Sequence, residues 1–322
     1  MNICKLSVST IFGLSAVVAQ AQTWPEKPIK LIAPATAGGP PDVYARALAD
    51  HMTKALGQPV VVENVPAAGG MIAAQQIMRA PADGYTLLIN TAGMMTITPN
   101  ANPRAQYKVS DFTHICQGVE AALVLATNQQ LGPKDYRQLA QWLKAQKTPP
   151  NYSSYSPGSP AHFLGYQLSE SLGLDMTHIP YKSSPQQITD MIGGVSPVGF
   201  VQITSAVAHI KANKLIGHAT TGVKRSPFLP DVPTIAEVGL PQLTTSVWFG
   251  LSAPKGLPQA ISQRLTNPHK QMLESPEFKS RMAVSGLSPA LNVCGDVFQE
   301  KMSRETDKWA RVVKATGFSA VE

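Results

Sequence analysis

Residues 34–42 read PATAGGPPD and stand between a short apolar run and a segment with helical spacing. In such a junction Ala37, Gly38 and Gly39 can present backbone N–H groups at the start of a helix, where the helix dipole favours an anion. The two prolines suit a first helical turn because they lack an N–H and fix φ, and Asp42 complements the dipole. The pattern predicts carboxylate binding. Its structural alternative is a tight turn that requires two glycines.

Two further loops have the same character. Residues 66–71 read PAAGGM, and residues 155–162 read the hydroxyl-rich YSPGSPAH directly before a predicted helix. Ser154, Ser156 and Ser159 can donate hydrogen bonds to a ligand oxygen, and His162 falls in the first helical turn. None of these loops is a Walker A or a G-x-G-x-x-G motif, so nucleotide binding is not indicated. We expect three helix N-termini to converge on one cleft.

The elements that position these loops alternate between apolar runs and helical patterns. The predicted strands are 29–33, 59–64, 85–90, 122–127, 176–181, 197–203, 214–220 and 245–254, and NYSSY (151–155) reads as the end of a further strand. The predicted helices are 42–56, 69–80, 135–147, 161–173, 184–194, 258–275 and 296–315. This alternation predicts an α/β fold with largely parallel sheets covered by helices. No internal repeat is evident.

The chain reads as two α/β blocks without a flexible linker. Strands 122–127 and 246–252 are predicted to run between the blocks. One domain would then consist of residues 22–124 and 246–322, and the other of residues 125–245. A ligand is expected in the cleft between them, outside the carboxyl ends of the strands.

The N-terminus has the composition of a secretory signal peptide. Residues 1–21 carry one charge, Lys5, followed by an apolar stretch and a small-x-small cleavage pattern at 19–21. The predicted cut precedes Gln22, and an uncleaved anchor is the alternative. Loss of Lys5 lowers the formal net charge from +7 to +6. The remaining basic residues are scattered without interleaved aromatics, which argues against nucleic acid and is compatible with an anionic ligand.

Cysteine usage and motifs restrict the chemistry. Only Cys116 and Cys294 remain in the mature chain; they could pair in an oxidising compartment, but we expect two buried free thiols. There is no C-x-x-C, H-E-x-x-H or Cys/His cluster, so neither a metal nor a cofactor is predicted. Ser159 and His162 could serve as nucleophile and base, but without a G-x-S-x-G elbow a secreted hydrolase is only a remote alternative.

Many segments, in order, resemble one family. They are WPEKPIKLIAP, AGGPPD, GQPVVVEN, AAGG, APADGYTLL, NYSSYSPGSPAH, HIPYKSS, IKANKLIGHATTGVKRSPFLPDVPTIAEVGL and WFGLSAPKGLP. From Trp24 to about Phe318 the chain resembles the Bug family of periplasmic solute-binding proteins, the binding components of tripartite tricarboxylate transporters.

The resemblance implies a two-domain Venus-flytrap fold of the type II periplasmic-binding-protein class, with the ligand cleft between the domains. It also implies a monomer without enzymatic activity that captures a small carboxylate in the periplasm and meets an inner-membrane permease. A periplasmic sensor that presents its ligand-bound form to a receptor is the alternative.

Carried over position by position, the family's binding loops imply a set of candidate ligand contacts; Tyr155 and Gln202 join the set where the sequence departs from the family pattern. The set is Thr36, Ala37, Gly38, Gly39, Asp42, Asn90, Thr91, Ala92, Gly93, Ser154, Tyr155, Ser156, Gly158, Ser159, His162, Tyr181, Lys182 and Gln202.

The departures bear on selectivity. Ala35 and Thr36 stand where the family commonly has Phe and Ala, and residues 200–202 read Phe-Val-Gln where it often has Phe-Asp-Asn. Pro197 also replaces a frequent Asp. A carboxylate that could meet an ammonium group is therefore missing. We hypothesise that the ligand is a larger or aromatic acid and not an amino acid.

Several candidates also have a structural interpretation. Lys182 follows a strand and could be a solvated surface charge. His162 could be a first-turn residue without a ligand contact, and His178 is expected to pack within its strand. Trp248 and Phe249 could line the cleft, but we expect them in the core.

Overall fold

The computed structural model describes residues 24–66 and 68–320, so the predicted signal peptide, residues 1–21, lies outside the described residues. The chain forms two β-sheets, one of six strands and one of five, with helices packed against them. None of the helices within these ranges is long and apolar enough to cross a membrane.

The elements are numbered along the chain. The strands are β1 (Ile29–Ala33), β2 (Val60–Asn64), β3 (Thr86–Thr91), β4 (Phe112–Ala121), β5 (Leu123–Asn128), β6 (Tyr152–Ser154), β7 (His178–Pro180), β8 (Val198–Gln202), β9 (Leu215–Thr220), β10 (Val247–Pro254) and β11 (Ser288–Pro289). The helices are α1 (Pro40–Leu56), α2 (Met71–Met78), α3 (Thr98–Ala101), α4 (Tyr136–Ala145), α5 (Pro160–Leu172), α6 (Ser184–Ile192), α7 (Ile203–Lys211), α8 (Gln259–Glu274), α9 (Pro276–Val284) and α10 (Asp296–Thr316).

The first sheet has the strand order β11-β4-β10-β3-β1-β2. β1 pairs in parallel with β2 and β3, whereas β10 pairs antiparallel with both β3 and β4. The prediction of a largely parallel sheet is therefore wrong for β10, because this strand carries the chain back from the second sheet. The carboxyl ends of β1 to β4 consequently point toward the second sheet.

The second sheet has the strand order β7-β6-β8-β5-β9. β6 pairs in parallel with β7 and β8, whereas β5 pairs antiparallel with β8 and β9. β5 leaves the first sheet, so its antiparallel neighbours run back toward that sheet. The loops after β6, β7 and β8 therefore face the loops after β1, β2 and β3.

The passage between the sheets is short. β4 ends at Ala121 and β5 begins at Leu123, so a single residue separates the two sheets there. On the return path, the backbone N–H of Thr221 donates to the carbonyl of Leu123 (2.9 Å), and the N–H of Thr245 donates to the carbonyl of Thr221 (2.8 Å). The sheets change within a few residues of the predicted boundaries at 124 and 245, and the division into domains itself stays a prediction.

Helix α1 illustrates how sequence sets local structure. It begins with Pro40 at its first position and ends at Leu56; the following Gly57 has the left-handed conformation (φ 72°) that glycine adopts without strain. Tyr44, Leu48 and Met52 recur every four residues and are completely buried. This face packs against the first sheet and fixes the position of the loop that precedes the helix.

Helix α10 contacts both halves of the molecule. Near its start, Phe298 and Met302 pack in an apolar cluster of the first sheet. Near its end, Trp309 and Val313 form a second cluster with Phe163 of α5, which follows a strand of the second sheet. The helix is therefore a third connection between the halves, in addition to the two passages of the chain.

Cys116 and Cys294 form a disulfide, so the expectation of two free thiols is wrong. Cys116 lies on β4 and Cys294 just before α10. The N–H of Gln117 donates to the carbonyl of Val293 (2.8 Å), and the N–H of Gly295 donates to the carbonyl of Ile115 (2.9 Å). This antiparallel bridge places the two cysteines opposite each other, which sequence separation alone does not reveal.

The first prediction concerns this disulfide. Because it closes a loop of 178 residues, the double variant Cys116→Ala/Cys294→Ala is expected to lose about 2–5 kcal/mol of unfolding free energy. Urea titration followed by circular dichroism measures the loss, with the wild type under reductant as a second reduced reference. An unchanged denaturation midpoint would contradict a stabilising role for the disulfide.

Candidate functional site

A cavity of about 490 Å³, here called the cleft cavity, lies where the loops of the two sheets face each other. From the first-sheet side it is lined by Pro34, Ala35, Thr36, Pro40, Pro41, Pro66, Gly69, Gly70, Thr91, Gly93, Met94 and Thr98. From the second-sheet side and the returning strand it is lined by Tyr155, Ser156, Pro157, Gly158, Ser159, Pro160, Gln202, Val247 and Phe249. Among these described residues there is no Asp, Glu, Lys, Arg or His.

The first wall is built around a tight turn, Thr36–Gly39, between β1 and α1. The N–H of Gly39 donates to the carbonyl of Thr36 (3.1 Å), and Gly38 has a φ of +81°. The N–H of Gly38 donates to Oδ2 of Asp42 at 2.8 Å. Both glycine amides are thus engaged within the loop in this conformation, contrary to the prediction that they point at an anion.

Asp42 is a buried structural anchor. Its carboxylate also accepts from Nε of Arg46 (2.9 Å) and from Nδ2 of Asn64 (2.8 Å). Burial raises the pKa of Asp42, but the hydrogen bonds from Arg46, Gly38 and Asn64 outweigh burial and hold the pKa below its usual value. The carboxylate stays charged and holds the loop from behind, outside the lining of the cleft cavity.

The second wall has a turn of the same design, Ser156–Ser159, between β6 and α5. The N–H of Ser159 points to the carbonyl of Ser156 (3.3 Å), and Gly158 has a φ of +69°. The N–H of Gly158 donates to Nδ1 of His162 at 3.2 Å. The hydroxyls of Ser154 and Ser159 also donate to the carbonyl of Ser156, at 2.9 and 2.6 Å.

The two turns form a short structural repeat. In each, a glycine with positive φ is followed by an extended N-cap residue and a proline at the first helical position. In each, the third helical residue accepts from that glycine: Asp42 in one wall and His162 in the other. The two turns share backbone angles and hydrogen bonds but little sequence, which is why no repeat is evident in the sequence.

His162 packs behind the second turn. Its ring stacks on His178 with centroids 3.8 Å apart, and Nε2 of His178 lies 2.7 Å from the hydroxyl of Ser154. Burial lowers the pKa of His162 to about 4; burial and then the neighbouring His162 lower the pKa of His178 to about 3. Both rings are neutral near pH 7, and Nδ1 of His162 must be an acceptor for the N–H of Gly158.

Eight of the predicted contacts meet in the cleft cavity: Thr36, Thr91, Gly93, Tyr155, Ser156, Gly158, Ser159 and Gln202. The others do not line it: Ala37, Gly38, Gly39, Asp42, Asn90, Ala92, Ser154, His162, Tyr181 and Lys182. Tyr181 is buried and Lys182 exposed. Burial and the neighbouring Asp190 raise the pKa of Tyr181 to about 12, so this phenol stays neutral.

Asn90 lies inside the first sheet and not at the cavity. Its side-chain amide donates to the hydroxyl of Ser252, which lies 2.7 Å from Nδ1 of His114. Nε2 of His114 lies 2.9 Å from the carbonyl of Val109 and therefore carries the proton. Successive strand residues face opposite sides, which is why Thr91 reaches the cavity and Asn90 does not.

Several lining residues are absent from the set predicted from the sequence. Phe249 was expected in the core; it is 6% exposed and also lines the cleft cavity. Gly70, with a φ of +91°, allows Met94 to approach so closely that a Cβ at Gly70 would lie 2.8 Å from its Sδ. The Gly-Gly pair at 69–70 was a usable signal, whereas nothing in the local pattern distinguishes Met94 from a core residue.

Neutral polar groups define what the cavity can do. Gln202 accepts from the hydroxyl of Ser184 (2.9 Å) at its Oε1, which leaves its NH₂ as a donor for the cavity. Burial raises the pKa of Tyr155, so its phenol remains a neutral donor. The site therefore presents hydroxyl and amide donors beside an apolar wall.

A metal site or a hydrolase site at the cleft cavity would require a group of metal ligands or a nucleophile bonded to a base. Within the described residues there is no cluster of His, Cys, Asp and Glu that could hold a metal ion. Nδ1 of His162 faces the N–H of Gly158, and the hydroxyl of Ser159 donates to the carbonyl of Ser156. The nucleophile–base hydrogen bond that a hydrolase would require is therefore not formed between Ser159 and His162.

The second prediction tests the anchor of the first turn. Asp42→Ala leaves the N–H of Gly38 without its partner and removes one of the two acceptors of the Asn64 amide, which keeps the carbonyl of Ala35. About 1–3 kcal/mol of unfolding free energy should therefore be lost. Asp50→Ala on the same helix is the matched control, because Asp50 forms an exposed ion pair with Arg281 and such pairs contribute about 0–1 kcal/mol. Equal losses in the two variants, measured by urea titration, would contradict the anchoring role.

The third prediction concerns acid. Burial lowers the pKa of five histidines to about 3 or 4: His114, His162, His178, His218 and His269. Unfolded histidine titrates near 6.5, so between pH 6.5 and 4 the unfolded state binds more protons. The free energy of unfolding should fall as the pH falls through this window, by up to about 1.4 kcal/mol per pH unit for each neutral ring. A constant value from pH 7 to 4.5 in denaturant titrations would contradict these neutral assignments.

Comparison with known proteins agrees with this geometry. The model of the family TctC, "Tripartite tricarboxylate transporter family receptor", matches residues 44–318. BugT of Bordetella pertussis is 33% identical over 323 residues, covering 98% of this chain and 99% of BugT.

Two solved structures share the fold over 92% of this chain and 99% of theirs. The periplasmic binding protein BugD has a TM-score of 0.75 at 31% identity. The Rhodopseudomonas palustris protein Rpa4515, solved with adipate, has a TM-score of 0.79 at 27% identity. The predicted α/β periplasmic-binding-protein fold is thereby confirmed. The chain belongs to the TctC family of tripartite tricarboxylate transporter receptors, whose members are periplasmic solute-binding proteins.

Proposed function

We propose that this protein captures a small organic carboxylate in the periplasm and delivers it to a tripartite tricarboxylate-type permease of the inner membrane. The observation that carries the proposal is the cleft cavity, which is rich in hydroxyl and amide groups and lies between the loops of two sheets. The adipate held by the related Rpa4515 supports the ligand class. Export through residues 1–21 is part of the proposal, and the Cys116–Cys294 disulfide supports an oxidising compartment.

The cavity can stabilise a carboxylate without a cationic side chain. Hydrogen bonds to a charged group contribute about 1.5–3 kcal/mol each. Thr36 and Thr91 from the first sheet, and Ser156 and Gln202 from the second, all border the same space. A ligand that bonds to both walls stabilises the closed arrangement of the two proposed domains, which is how binding would be signalled to a permease.

The same lining disfavours amino acids. An ammonium group would enter a space in which no described lining residue is acidic, and a buried unpaired charge is costly. Phe249, Tyr155 and Met94 instead offer apolar surface to the body of the ligand. We therefore propose a larger or aromatic acid over an amino acid.

The fourth prediction tests ligand class. Thermal unfolding of the protein without residues 1–21 is measured against dicarboxylates, tricarboxylates, aromatic acids and amino acids, before and after unfolding and refolding to remove co-purified ligand. An acid present at 100 times its dissociation constant should add about 2.7 kcal/mol, a shift of several degrees. Stabilisation by amino acids alone would overturn the proposed selectivity, and no shift by any acid after refolding would overturn the function.

A charge variant sharpens this test. Gln202→Glu keeps an acceptor for the hydroxyl of Ser184 but places a negative charge in the cavity, so affinity for an acid should fall at least tenfold because like charges repel strongly in a partly buried site. Gln242→Glu is the matched control, since Gln242 is exposed and does not line the cleft cavity. Equal affinities of the two variants would show that the acid binds elsewhere.

A further inference from the structure

The second turn is supported from outside the cleft cavity by the last described residues of the chain. After α10 ends, Gly317 takes the left-handed conformation and turns the chain toward α5. The ring of Phe318 then meets the ring of His162 edge to face, with centroids 5.0 Å apart at 81°, and meets Phe163 at 5.6 Å and 82°. Edge-to-face packing is a preferred geometry for aromatic rings.

Phe318 also lies directly against the turn itself. A Cβ added at Gly158 would lie 3.0 Å from Cε1 and 3.3 Å from Cζ of Phe318. Glycine is therefore needed at 158 for two reasons: its positive φ and this close approach. The phenyl ring covers the Cα of Gly158 on one side, and Nδ1 of His162 holds its N–H on another.

The segment that carries Phe318 is fixed to the first half of the molecule. The N–H of Ala320 donates to the carbonyl of Ala101, at the end of α3, at 2.7 Å. Trp309 and Val313 of α10 pack with Ala101 and Ile97 in the same apolar cluster. Phe318 thus reaches from the first half to a ligand-lining loop of the second half.

We propose that Phe318 is a positioning residue for the ligand site: it holds the turn Ser156–Ser159 in its binding conformation through His162 and Gly158, without contact to the ligand. Phe318 does not line the cleft cavity, whereas Ser156, Gly158 and Ser159 do. The effect on affinity rests on the proposed carboxylate-binding function; the effect on the turn does not.

The test compares Phe318→Ala with Val313→Ala. Val313 lies in the same apolar cluster, whereas Phe318 is the ring packed against Gly158 and His162, so this control reports the loss of cluster packing. Two readouts are used. The first is the proton NMR titration of the His162 ring, whose signals are assigned with the variant His162→Asn. The second is calorimetric titration with the acid that gives the largest thermal shift in the panel, or with adipate if no acid gives a shift.

In Phe318→Ala the ring of His162 should be more exposed, so burial should lower its pKa less and the ring should titrate at a higher pH than in the wild type. Affinity for the acid should weaken about threefold to tenfold. Val313→Ala should leave both values unchanged. Phe318→Tyr should restore both, because it keeps the ring.

Three results would overturn the proposal. They are an unchanged His162 titration in Phe318→Ala, the same shift in Val313→Ala, and weaker binding in Phe318→Ala that Phe318→Tyr does not restore. If Phe318→Ala does not fold, Phe318→Leu replaces it with the same criteria. If the His162 titration shifts as expected but no acid binds the wild type, Phe318 still positions the turn Ser156–Ser159. The proposed carboxylate-binding function alone then fails.

Discussion

Both walls of the cleft cavity depend on one kind of hydrogen bond, from the N–H of a glycine with positive φ to the side chain of the third residue of the following helix. This bond fixes a turn that would otherwise be free to open, and the turn decides which donors face the cavity. In the first wall the acceptor is a carboxylate held charged by Arg46 and Asn64. In the second wall it is a histidine held neutral by burial. Charge therefore lies behind the walls and not on them.

Under the proposed function, this arrangement lets the cavity bind an anion without a charged side chain among its described lining residues. Neutral donors stabilise a carboxylate only where its oxygens match their distances and directions. The donors come from both sheets, so full bonding requires that both halves surround the ligand. The short passage at Ala122 and the contacts of α10 with both sheets restrict how the halves can move.

The sequence pattern predicted most of the helices and strands and the loops that form the site, because apolar runs, glycines and prolines determine the conformation of the backbone near them. It missed β4, in which His114, Gln117 and Glu120 interrupt the apolar pattern although two of them are buried. It missed α7, which begins directly after β8 without a turn residue, and α9, which shares Ser275 with the end of α8.

The individual contacts were harder to predict than the loops. Whether Gly38 donates to a ligand or to Asp42 depends on an angle that a local sequence does not reveal. Asn90 and Thr91 are neighbours, yet the strand turns only one of them toward the cavity. Phe249 enters the site only because β10 returns between β3 and β4, and Phe318 reaches the second turn only because α10 spans both halves. These are consequences of tertiary structure.

The most direct measurement is a crystal structure of the protein with the acid that stabilises it most. The account predicts a carboxylate in the cleft cavity that accepts hydrogen bonds from hydroxyl or amide groups of both turns, with the Gly38–Asp42 and Gly158–His162 bonds intact. A carboxylate bound to a lysine or arginine side chain, or bound outside the space between the two turns, would contradict it.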